Sequence, residues 1–97
     1  MENLKKYENV IIINGSYTEE EYTKALDRVK DYISNYVEIK NIEEIGIKRL
    51  AYEVQNQKVG YYVIFEVETI SENVKDVERF YRINDDILKF LFVRKDD

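Results

Sequence analysis

The side chains able to do chemistry here are carboxylates, lysines, arginines and tyrosines, because the 97 residues include no His and no Cys. Without His there is no ordinary general base near neutral pH. Without Cys there is no thiolate nucleophile, thiolate metal site or disulfide framework. Three adjacent carboxylate pairs remain: Glu43-Glu44, Asp85-Asp86 and Asp96-Asp97. Neighbours in a strand point to opposite faces, so Glu43 and Glu44 cannot work together. All three pairs read as solvated surface, and no carboxylate spacing suggests a metal site. The residues imply no catalytic group, no metal, no cofactor and no small-molecule substrate, so the chain reads as a non-enzyme.

The remaining chemistry is recognition of phosphate or of a partner. Asn14-Gly15-Ser16 before a helix has the outline of a phosphate-binding helix start. However, Glu19, Glu20 and Glu21 fill that first turn and would repel an anion, so it reads as a turn and cap. Lys48-Arg49 is a basic pair in an extended segment, and Arg82-Ile83-Asn84-Asp85 reads as a turn. Lys58 to Phe65 has the outline of an RNA-stacking strand, but Val59 precedes Gly60 and Glu66 occupies the last aromatic position. Tyr61 and Phe65 therefore read as core, and Tyr62 as the aromatic available on an open face.

The charge balance narrows the class. Formal net charge is -5, whereas an unaided nucleic-acid binder is usually basic. RNA binding would need local basic patches or a basic partner drawn to the acidic surface. A hydrophobic fraction of 44% and an aromatic fraction of 13% suit a packed globule. The length suits a single domain over 1–97. The start of the chain lacks the apolar run of a signal peptide, and no stretch approaches the ~20 apolar residues of a membrane span. The expected location is cytoplasmic, with no membrane partner.

The elements that must position these groups follow from periodicity. Tyr7 to Ile13 predicts a strand with apolar residues on both faces, hence a central one. Thr18-x-x-Glu21 is a capping box, and Tyr22, Ala25, Leu26, Val29, Ile33 and Tyr36 make one helical face ending near Asn35. Val37 to Val54 predicts a strand with Val37, Ile39, Ile45 and Ile47 in phase. Ile42 is out of phase, so a bulge or bend falls at Asn41 to Glu44, helped by Gly46. Gln55 to Lys58 is a polar hairpin connection. Tyr61 to Val67 predicts a third strand, Ser71 caps a second helix bearing Val74, Val77 and Phe80 or Tyr81, and Ile87 to Val93 predicts the fourth strand.

That order is the α+β, ferredoxin-like βαββαβ pattern. It predicts a four-stranded antiparallel sheet with two helices on one face and the other face open. The first and fourth strands are expected as central antiparallel neighbours. Lys5 and Lys6 would then meet Arg94 and Lys95 in one basic edge, with Lys48, Arg49 and Arg82 nearer the other end.

Four stretches, in order and spacing, resemble the bacterial small-subunit ribosomal protein six family. These are Lys6-Tyr7-Glu8, Glu43-Glu44-Ile45-Gly46-Ile47-Lys48-Arg49-Leu50-Ala51-Tyr52, Gly60 to Glu68, and Arg82-Ile83-Asn84-Asp85-Asp86-Ile87-Leu88-Lys89. The central one is the most specific. The resemblance implies a structural constituent of the platform of the small ribosomal subunit. Its implied partners are small-subunit ribosomal RNA and the basic ribosomal protein eighteen, bound together. The candidate RNA-binding residues are then Lys5, Lys6, Lys48, Arg49, Arg82, Lys89, Arg94 and Lys95, and the candidate partner-binding residues are Tyr7 and Tyr62. Two other readings fit the topology: a stand-alone single-strand RNA binder using Tyr62, and a ligand-sensing regulatory domain that dimerises through its sheet.

Overall fold

The computed structural model describes residues 3–95; the Asp96-Asp97 pair lies outside them. Its elements are β1 (Lys5–Asn14), α1 (Glu19–Ile33), β2 (Glu38–Val54), β3 (Gln57–Thr69), α2 (Ser71–Ile83) and β4 (Ile87–Arg94). The strands form one antiparallel sheet in the order β2-β3-β1-β4, the expected ferredoxin-like arrangement. β1 and β4 are antiparallel neighbours as expected, but only β1 is central; β4 is an edge. Each crossover helix joins parallel strands one place apart, and β3 and β1 fill the two intervening places.

The two faces separate as period-2 alternation requires. Ile11 and Ile13 of β1 and Tyr61, Val63, Phe65 and Val67 of β3 lie under the helices. They pack there with Ala25, Leu26, Val29 and Ile33 of α1 and with Val77 and Tyr81 of α2. Burying each large aliphatic side chain contributes roughly 1.5–3 kcal/mol. Ile12 turns the other way and joins a small cluster with Leu50 and Leu88 on the uncovered face.

Local chemistry sets the element ends. The capping box forms, with Glu21 N donating to Thr18 Oγ1 at 3.2 Å and Thr18 N donating to Glu21 Oε1 at 2.8 Å. Ser71 does not cap α2: Ile70 holds the N-cap position and no side chain caps it. The cause is register, because β3 runs on until Thr69 pairs with Lys5. Only Ile70 is left to make the turn, so Ser71 already lies in the helix. The hairpin is tighter than expected. Gln55 (φ 49°) and Asn56 (φ 65°) form a two-residue turn of the primed type, and Gln57 and Lys58 already belong to β3.

β2 carries three register shifts, between Ile39 and Asn41, Glu44 and Gly46, and Arg49 and Val54. The first brings Ile42 onto the core side with Ile39, correcting its out-of-phase reading. The second turns on Gly46, whose φ of +99° suits a residue without Cβ; Ile47 returns to the helix side opposite Tyr61. The third leaves Leu50 to Glu53 as an arm that leans across the open face. Leu50 joins Ile12 and Leu88, and Tyr52 reaches Lys89 on the far edge strand. Gly60 lies beneath it. A Cβ there would stand 2.3 Å from Ile12 Cγ2 and 3.7 Å from Leu50 Cδ2.

Candidate nucleic-acid interface

At the end where β1 begins, topology gathers residues far apart in sequence. Tyr7 pairs with Arg94, and Lys95 N donates to the Lys6 carbonyl at 2.7 Å. The meeting of Lys5 and Lys6 with Arg94 and Lys95 is as expected, but the edge is of mixed charge. Lys95 lies 3.7 Å from Glu8, Lys40 lies 3.1 Å from Glu38, and Lys6 stands opposite Glu68. Carboxylates share the face because β1 and β3 alternate in step, so Glu8, Glu66 and Glu68 fall beside Lys6. Tyr7 points to the helix side and is half-buried, edge-on to Phe92 at 6.2 Å.

The hairpin end is different. Lys48 sits opposite Gly60 on the open face, and Lys58, two residues before Gly60, shares that face. Arg49 sits opposite Val59 and points the other way. All three are exposed, and none has an ion-pair partner among the described residues. The Lys89 ammonium donates to Tyr52 Oη at 2.7 Å. Tyr62 is half-buried opposite Ile12, beside Val10 and Leu91. The open face therefore carries an apolar stripe with lysines and tyrosines at its hairpin end. Arg82 stands apart in the helix layer, 5.9 Å from the Phe90 ring and 4.0 Å from Glu78. Sequence reasoning missed Lys58 and Tyr52 as candidates. The hairpin register was the available signal for Lys58; the lean of Tyr52 across the sheet left none.

On the other side of β2 is an acidic groove of about 480 Å³ lined by Glu19, Tyr22, Thr23, Glu44, Gly46, Ile47 and Tyr61. Tyr22 stacks on Tyr61 at 4.3 Å and donates to Glu44 Oε1 at 2.7 Å. Burial, then that bond, push the Tyr22 phenol up. Ile47 is 55% exposed at the rim. Two carboxylates over an aromatic floor with an aliphatic edge suit a Lys or Arg side chain, stem against Ile47 and head beside Glu44. Glu43 faces the opposite side, as expected, so no carboxylate pair forms.

Asp86 departs from its solvated reading. Tyr17 Oη donates to its Oδ1 at 2.5 Å, and Arg28 donates to its Oδ2 at 2.7 Å. Burial alone would raise its pKa, but the two hydrogen bonds outweigh burial and hold it below the usual carboxylate range. The bond to Asp86, with burial, pushes the Tyr17 phenol up to about 12. This cluster clamps the turn before α1 to the turn before β4 and offers no open position to a substrate. Among the described residues no group of carboxylates is placed to hold a metal ion, and no helix is long and apolar enough to cross a membrane.

Comparison with known proteins places this geometry. The family described as Ribosomal protein S6 matches residues 6–94. Small ribosomal subunit protein bS6 of Caldanaerobacter subterraneus subsp. tengcongensis is 34% identical over 95 residues, covering 97% of this chain and 100% of that protein. The protein of the same name from Shouchella clausii is 35% identical over 95 residues, covering 97% and 99%. The crystal structure of 30S ribosomal protein S6 from Thermotoga maritima superposes with a TM-score of 0.87 at 27% identity, covering 96% of this chain and 89% of that one.

Proposed function

The chain belongs to the ribosomal protein S6 family, and from that membership we propose that it binds small-subunit ribosomal RNA jointly with ribosomal protein eighteen, as a structural constituent of the platform. The family is one of ribosomal proteins and not of enzymes. The work is positioning: phosphate contacts fix register and orientation without chemistry.

The observation that carries the joint mechanism is the separation of charge across β2. Glu19 and Glu44 line a groove on its helix side, while Lys48 and Lys58 stand without acidic partners on its open side. A basic protein fits the first surface and a phosphate backbone the second. With a net charge of -5, the chain gains RNA affinity when a basic partner supplies much of the phosphate neutralisation. The open sheet beside Tyr62 extends the surface available for assembly. A single domain spanning 1–97 is part of this reading.

Filter binding of a platform fragment of the ribosomal RNA tests it, with this protein alone, ribosomal protein eighteen alone, and both. Binding is expected to be weak for this chain alone and strong for the pair. Tight, specific binding by this chain alone would overturn the joint mechanism.

A further inference from the structure

We propose that Tyr52 is a stacking platform for one unpaired base of a single-stranded RNA segment whose phosphates pass over Lys48, Lys58 and Lys89. This rests on the RNA-binding reading above and assigns part of that contact to a residue outside the basic set.

Tyr52 is 63% exposed, so its ring is not there to fill the core. It sits on the arm that leans over the open face, and its position is held. The Lys89 ammonium, from the opposite edge of the sheet, donates to the Tyr52 hydroxyl at 2.7 Å and lies 4.8 Å from the ring centroid. Two residues back, Leu50 is anchored in the cluster with Ile12 and Leu88. The ring is thus tethered at its hydroxyl and supported at its base while most of its surface meets solvent. A preorganised aromatic gives up little further freedom when a ligand stacks on it.

The charges around it choose the ligand. Lys89 is at the ring, and Lys48 and Lys58 are on the same face with no ion-pair partner among the described residues. Planar aromatic surface ringed by unpaired cations matches a nucleobase with its phosphates. A basic protein segment would meet repulsion here and attraction in the groove beside Glu44. Single strands are the class that offers bases free to stack; paired bases in an A-form helix do not.

The test uses full-length protein, ribosomal protein eighteen and the platform RNA fragment, with affinity read as a function of salt. Tyr52→Ala is expected to weaken binding about ten-fold, within the range for loss of one stacked base, with the salt slope unchanged. Tyr52→Phe keeps the ring and is expected to stay within about three-fold of the parent. Lys48→Ala with Lys58→Ala is expected to flatten the log-log salt slope by roughly 0.7 per lost phosphate contact on a single strand. Parental affinity in Tyr52→Ala, while the unmodified protein binds normally, overturns the stacking proposal alone. Absence of binding by the unmodified pair overturns the parent reading instead. If Tyr52→Ala weakens association with ribosomal protein eighteen when no RNA is present, Tyr52 is a protein contact and the proposal fails.

Discussion

Tyr81 donates its phenolic hydrogen to Asn9 Oδ1 at 2.5 Å, and each of the two residues is 1% exposed. Asn9 Nδ2 in turn donates to the Leu91 carbonyl at 3.1 Å. One buried amide thereby links α2 to β1 and β4. Burial also pushes the Tyr81 phenol up, so it stays a neutral donor.

Removing that donor should be costly out of proportion to one atom. Tyr81→Phe leaves Asn9 Oδ1 buried without a partner, and such a group costs about 1–3 kcal/mol. Urea unfolding is expected to show a lower midpoint at an unchanged m-value. A midpoint equal to that of the parent would mean that water or a shifted side chain satisfies Asn9.

Gly60 offers a test of the leaning arm. Its missing Cβ leaves the space where Ile12 Cγ2 sits, and the Ile13 carbonyl is 3.2 Å from the same position. Ile12 is β-branched and stiff at χ1. Gly60→Ala is expected to destabilise by about 1–3 kcal/mol, the usual range for overpacking. Gly46→Ala meets no atom within 4 Å and acts through its φ of +99° alone. Thermal unfolding of the two variants distinguishes a packing effect from backbone strain.

The Asp86 cluster makes stability depend on pH at both extremes. Asp86 has a depressed folded pKa, so its contribution is present above the unfolded value of about 3.9 and is lost as pH falls through the folded value. Tyr17 has a raised folded pKa of about 12. Its contribution is complete below the ordinary phenol value of about 10 and is lost as pH rises through the folded one. Asp86→Asn is expected to flatten both limbs of a stability profile, and Tyr17→Phe the alkaline limb. An unaltered acid limb in Asp86→Asn would show that other carboxylates dominate there.

The two ends of the sheet should differ in their RNA contribution. Lys6→Ala with Arg94→Ala removes charge from the mixed edge; Lys48→Ala with Arg49→Ala removes it from the hairpin end. In the presence of ribosomal protein eighteen, the second pair is expected to flatten the salt slope more, by nearly one unit per lost phosphate contact. Thermal stability should change by about half a kcal/mol or less in either, since all four residues are exposed. A larger loss from Lys6 and Arg94 would move the RNA to the mixed edge.

Much of this was legible from residue order. Tyr22, Ala25, Leu26, Val29 and Ile33 repeat with helical spacing, and Tyr61, Val63, Phe65 and Val67 alternate, because a period is a local property that burial imposes on neighbouring residues. Thr18 and Glu21 announced the start of α1 for the same reason: both partners lie within one turn. Absence of His and Cys, and the motif from Glu43 to Tyr52, likewise needed no coordinates. What sequence alone left undecided depended on register. Three shifts in β2 determined which way Ile42 and Ile47 face and where Tyr52 reaches, and a strand slip of one residue reverses every side chain beyond it. The acids interleaved with Lys6 and Lys95, and the burial of Asp86 against Tyr17 and Arg28, depended on strands and turns distant in sequence coming together. Pairing across such separations is set by the packing of the whole sheet and leaves no periodic trace in the chain itself.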